Sequence, residues 1–145
     1  MKKRKWLKSI ALTIAATMCL SIPVFAEEPE ARGNIQNTQI PEEFIGYASG
    51  LNTEWRWKLD DSFHYIQNTS GFDLRVVSKA HSDDSNQTRN GYALVPCGEY
   101  FIANFVHENS KINCYLYIRT SRYGTSGYAS GWWSPDSVGS YPVAN

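Results

Sequence analysis

The chain has 145 residues, with 14 basic and 14 acidic side chains, 42% hydrophobic and 14% aromatic residues. That length suits one domain and not two. With no basic surplus, the chain is a poor candidate for nucleic acid, where phosphate neutralisation supplies most of the affinity. The same balance argues against a cationic membrane-active peptide.

Lys2, Lys3, Arg4, Lys5 and Lys8 precede an apolar run from Ile10 to Leu20. Val24-Phe25-Ala26 then puts small residues before Glu27. This is the pattern of a signal peptide over 1–26, cleaved after Ala26. The apolar run is shorter than the roughly 18–20 residues of a membrane span, so no stable span is expected after cleavage. A secreted, extracellular protein follows. Cleavage removes five basic and no acidic residues, leaving nine basic against fourteen acidic, a net charge of −5.

Residues 27–43 are acidic and polar, with no hydrophobic period, and read as a flexible leader. Pro41 to Ile45 suits a single helical turn, since Pro fits a first helical position and acids favour a helix N-terminus. From Thr53 the pattern alternates. Trp55, Trp57 and Leu59 form one side of a half-buried strand, and Arg56 and Lys58 form the other. Phe63 to Ile66 is a short strand, Asn68 to Gly71 a turn, and Phe72 to Ala80 a strand with Leu74, Val76 and Ser78 on one face. His81 to Asn90 is wholly polar and expected on the surface. Gly91 to Val95 is a fourth strand and Pro96-Cys97-Gly98 a corner. Tyr100 to His107 and Asn113 to Thr120 are a fifth and a sixth strand, and Tyr128 to Trp133 a seventh. Tyr141 and Val143 alternate in the tail, enough for a last short strand. About seven strands with frequent turns and no long helix predict an all-β fold: a single antiparallel β-sandwich-like domain over 44–145.

The two cysteines beyond the signal segment, Cys97 and Cys114, pose a choice. Glu108 to Lys111 is the best turn between the fifth and sixth strands. If it closes a regular hairpin, the cysteines lie on the order of 30 Å apart along the ladder, far beyond a disulfide's reach of about 7 Å between Cα atoms. Hairpin and bridge exclude each other, and the hairpin is favoured. Cys114 then becomes a core thiol in phase with Leu116 and Ile118.

Trp132 and Trp133 are adjacent, so on a strand one points in and the other out. With Tyr128 and Tyr123 they are the candidate binding aromatics, a platform suited to stacking on sugar rings. Aromatic residues also fill β-cores and pair across strands. His64, His81 and His107 show no metal-ligand spacing, and neither cysteine has a histidine at zinc-site spacing. His81 to Asn86 is oxygen-rich but lacks the order of a calcium loop. No catalytic or cofactor constellation is present, so a non-enzymatic role is expected. Asn68-Thr69-Ser70 and Asn86-Gln87-Thr88 match the glycosylation sequon and fall in expected turns.

Met1 to Lys5, the corner Leu94-Val95-Pro96-Cys97-Gly98-Glu99-Tyr100, and Ala129 to Ser137 carry a resemblance. The chain resembles a group of small secreted all-β proteins from Gram-positive bacteria, mostly of unknown function and some bacteriocin-associated. The resemblance assigns no functional residue. The export signal, the aromatic surplus and the lack of a catalytic constellation lead to the expectation of a secreted domain binding an unknown cell-surface or extracellular partner, with glycan as one candidate. A bacteriocin-like protein and a secreted hydrolase are the alternatives.

Overall fold

The computed structural model describes residues 33–145. The expected signal peptide and the first residues of the expected leader lie outside them. The described chain is all-β, with eleven short strands and no helix. One sheet has the order β1 (Thr38–Gln39), β11 (Gly131–Ser134), β5 (His64–Asn68), β8 (Gly98–Ile102). The second centres on β9 (Asn113–Thr120), which pairs on one side with both β3 (Leu51–Asn52) and β4 (Arg56–Trp57). On its other side lies β6 (Leu74–Ala80), and then β7 (Ala93–Val95). A small ribbon joins β2 (Phe44–Ile45) to β10 (Gly127–Tyr128). Every strand pair is antiparallel.

The core lies between the two sheets, as in a sandwich. Ile66, Ile102 and Trp133 come from the first sheet, and Leu74, Val76, Val95, Cys114, Leu116 and Ile118 from the second. Alternation makes β6 and β9 faithful to their sequence pattern, with buried Tyr115 on β9 the one departure. On β6, Leu74, Val76, Ser78 and Ala80 are buried while the residues between them are half-exposed. Cys114, Leu116 and Ile118 share the inner face of β9, as expected. A polar bridge also spans the layers: His64 Nε2 on β5 lies 2.7 Å from Ser78 Oγ on β6. His64 Nδ1 donates to the carbonyl of Pro135 at 2.7 Å. A carbonyl can only accept, so Nε2 carries the lone pair and accepts from the Ser78 hydroxyl. Burial, and secondarily the Lys58 charge, push the His64 pKa down to about 3.

Four sequence expectations are corrected. The hairpin between the fifth and sixth strands does not form. The chain does reverse at 105–111, with Asn109 N donating to Phe105 O and Lys111 N to Val106 O. But β8 pairs with β5 and β9 with β6, in different sheets. Cys97 and Cys114 are nevertheless both free, the first exposed and the second buried. The leader is ordered within the described residues: β1 pairs with β11, and Ile40 is fully buried. Pro41 to Ile45 is no helical turn; it leads into β2. The polar stretch 81–90 is partly internal, because Gln87 and Thr88 are buried and Thr88 Oγ1 accepts from Ser78 N at 2.8 Å.

On β4 the two faces are as expected, and the aromatic one is the outer: Trp55, Trp57 and Leu59 are exposed, while Lys58 is buried. The reason is an ion pair. Lys58 Nζ donates to the Asp60 and Ser62 carbonyls at 2.8 and 2.6 Å and to the Asp136 carboxylate. Both charged groups of the Lys58–Asp136 pair are fully buried. Asp136 also accepts from the backbone N–H of Asn34 at 2.6 Å and of Leu59 at 2.9 Å. Gly33 lies beside this knot with φ +121, and a Cβ there would clash with Asp60 and Asp136.

The seventh expected strand is split into β10 and β11. Gly131 at the break has φ +145, and any Cβ there would meet the Gln67 carbonyl at 1.9 Å. The tail pairs as expected of an extended segment, bridging Val143 to Phe101 in parallel.

Candidate functional site

The four sequence-nominated aromatics are scattered. Trp133 is 0% exposed, a core residue packed edge-on to His64 at 6.0 Å. Trp132 points outward on the first sheet, opposite Gln39 and Gln67. Tyr128 packs edge-on to Phe44 at 5.5 Å on the small ribbon. Tyr123, 91% exposed, sits beside Tyr47 at 6.0 Å. The expectation of one inward and one outward tryptophan holds. The four rings do not form a common platform.

Much of the first sheet's outer face is covered by the protein itself. Tyr141 of the tail lies 5.2 Å from Tyr65 and 5.3 Å from Phe101. Tyr65 OH donates to Glu99 at 2.5 Å. Beside this cluster is a shallow, open cleft of about 270 Å³ lined by Asp61, Ser62, Phe63, Phe101, Ser137 and Gly139. It presents no convergent donors or titratable pair.

The second sheet's outer face is different. Period-2 alternation sends Asn113, Tyr115, Tyr117 and Arg119 outward from β9, and Arg75, Val77 and Lys79 outward from β6. Register then sets them in rows. Arg75 lies opposite Arg119, Val77 opposite Tyr117 and Lys79 opposite Tyr115. At the edge, Trp57 lies opposite Asn113. Trp55 is 43% and Trp57 49% exposed, with ring centroids 6.1 Å apart at 72°. Trp55 is stacked on His81 at 5.0 Å and 15°. Leu59, two residues beyond Trp57, and Ile112, next to Asn113, are exposed as well.

Cations and rings alternate along the rest of the face. The Arg75 guanidinium lies 3.8 Å over the Tyr92 ring, Lys79 Nζ 5.5 Å from the Tyr117 centroid, and the Arg119 guanidinium 4.8 Å over Tyr47. Tyr115 OH donates to Asp84 at 2.7 Å, and burial with this carboxylate pushes its pKa up to about 12. From Asn113 to Arg119 the face runs on the order of 20 Å along β9.

Alternation sets Trp55 and Trp57 together on one face of β4 without marking that face as the outer one. Lys58 carries the missing signal only through Asp136, 78 residues away, so spacing could not reveal it. Alternation alone places Arg75 and Arg119 on the faces opposite Leu74, Val76 and Ser78 of β6 and Cys114, Leu116 and Ile118 of β9. Their juxtaposition depends on the β6–β9 register, which a β8–β9 hairpin would have hidden.

Other reactive groups are sealed or solitary. Ser78 and His64 have hydrogen-bond geometry suggestive of a nucleophile and base, but both are fully buried. Burial pushes the Cys114 thiol up to about 12. Among the described residues, no group of three or more His, Cys, Asp or Glu side chains is arranged to hold a metal ion. Of the sequon asparagines, Asn68 is buried and donates to the Phe72 and Val95 carbonyls at 2.9 and 3.0 Å, which leaves it unsuited to carry a glycan.

No curated protein and no solved structure matches the chain. A family profile does match, over residues 22–137, and its description is a protein of unknown function. That match covers most of the chain, which therefore belongs to the DUF2712 family.

Proposed function

We propose that this protein is a secreted, non-enzymatic binding domain that takes up a glycan at or outside the cell surface on the outer face of its second sheet. The observation that carries this reading is the exposed pair Trp55 and Trp57, with His81 stacked beneath Trp55. Large exposed aromatic groups on a soluble domain mark interaction sites. Indole rings offer flat apolar surface at small entropic cost, together with a polar edge. A sugar ring has the matching character, an apolar C–H face rimmed by hydroxyl groups. The neighbouring Asn113, Lys79 and arginines supply polar partners along the same face.

Co-sedimentation with purified cell wall and insoluble glycans tests the reading. Wild-type protein is expected in the pellet, the Trp55→Ala/Trp57→Ala variant in the supernatant, and Trp132→Ala in the pellet. Equal retention of wild type and the double variant would overturn it.

A further inference from the structure

The arginine pair at the far end of this face has no carboxylate partner among the described residues. Arg75 and Arg119 stand directly opposite each other on β6 and β9. Like charges in that position are destabilising. Among the described residues, no carboxylate lies within 4.0 Å of either guanidinium; the ion pairs belong to Lys58, Arg89 and Lys111. Asp73, just before β6, is exposed and forms no ion pair with either. Arg75 Nε is buried and makes no hydrogen bond. Arg119 has only the Tyr47 carbonyl, at 2.9 Å from Nη1. Lys79, on the same face, is likewise without a carboxylate partner.

The chain beyond residue 26 carries a net charge of −5, so this gathering of three cations is not a by-product of basic composition. Each guanidinium lies against a tyrosine ring, Tyr92 or Tyr47, which limits its orientations. A held, partly dehydrated guanidinium binds a carboxylate or phosphate through paired N–H donors. An oxyanion between the two would remove the like-charge repulsion.

We infer that Arg75 and Arg119 form an oxyanion subsite and that the ligand of this face is an acidic polysaccharide. This rests on the binding reading above and narrows it. Trp55 and Trp57 would stack on sugar rings, while the arginines take the acid groups the polymer carries. A carboxylate of a uronic acid and a phosphate of a sugar–phosphate polymer share the required chemistry.

The test is a set of affinities at low salt for polygalacturonate, a polyglycerol phosphate polymer and a neutral glucan of similar length. Wild type is expected to prefer at least one acidic polymer over the neutral one by about tenfold or more, the scale of a hydrogen-bonded charge pair. Whichever acidic polymer binds more tightly identifies the acid group. Arg75→Gln and Arg119→Gln should each erase most of that preference, and raised salt should weaken acidic-polymer binding. If the neutral glucan binds as tightly as both acidic polymers and Trp55→Ala/Trp57→Ala abolishes binding, the subsite is wrong and the aromatic face stands. If no polymer binds, both are wrong. Near-UV circular dichroism verifies folding of the variants. Should either arginine variant misfold, the wild-type preference and its salt dependence decide alone.

Discussion

Lys58 and Asp136 form a fully buried ion pair that ties the edge of the second sheet to the segment following β11. Asp136 also accepts the backbone N–H of Asn34, so the beginning of the described chain is tied to the segment following β11 at one carboxylate. Burial works against its charge. Hydrogen bonds from Asn34 N–H, the Lys58 ammonium and Leu59 N–H outweigh that and hold the carboxyl below its usual range. Removing one partner of a buried pair leaves the other uncompensated, at a cost of about 3–5 kcal/mol. Lys58→Met and Asp136→Asn are each expected to lose that much in urea denaturation. A loss below about 1 kcal/mol in both would contradict the role given to the pair. The double variant Lys58→Met/Asp136→Leu should not recover full stability, because it strands the Asn34 and Leu59 N–H donors.

His64 makes stability depend on pH. The folded ring stays neutral down to about pH 3, whereas the unfolded ring takes up a proton below its ordinary pKa of 6.5. Below 6.5 the unfolded state therefore binds more protons, and folded stability falls with pH by up to about 1.4 kcal/mol per unit. Denaturation at pH 7 and pH 4 should differ by about 3 kcal/mol from this group. The Asp136 contribution has the same sign but is lost only lower, within and below the carboxylate range. His64→Gln should flatten the slope between pH 7 and pH 4. An unchanged slope would show that the buried ring is not its source.

The two thiols differ in access. Cys97 is exposed at the corner between β7 and β8, and Cys114 is buried on β9. A thiol reagent should modify one cysteine of the protein beginning at Glu27 in its native state and two after denaturation. Two native thiols would mean that β9 does not face the core.

The adjacent tryptophans should separate cleanly. Trp133→Ala empties a core site and is expected to cost about 3–5 kcal/mol. Trp132→Ala removes a partly exposed ring and should cost about 1 kcal/mol or less. Thermal and urea unfolding of the two variants checks the difference.

The parts of the fold legible in the sequence are those governed by local alternation. The β6 pattern from Leu74 to Ala80 and the β9 pattern from Asn113 to Thr120 each contain enough residues to fix an inner face. Two-residue strands do not. Thr38–Gln39 sits in a polar stretch, and only its pairing with Trp132 and Trp133 makes it a strand. At β4, Trp and Lys both have amphipathic side chains, so alternation gives two faces without saying which is inner. Asp136 decides that question. Partner choice was hidden for a related reason. The turn at 105–111 is real, but a tight reversal can join two sheets as readily as two neighbouring strands. Hence the inner faces of β6 and β9 are legible in the sequence, while the rows of cations and rings built by their mutual register are not.

The central claim is that ligand binds on the outer face of β4, β9 and β6. Titrating isotope-labelled protein with the acidic polymer and following amide and side-chain NMR shifts tests it most directly. Shifts should concentrate at the Trp55 and Trp57 indoles and at Arg75, Lys79, Asn113, Tyr117 and Arg119. Shifts centred instead on Trp132, Gln67 and Tyr65 of the other sheet would contradict the account.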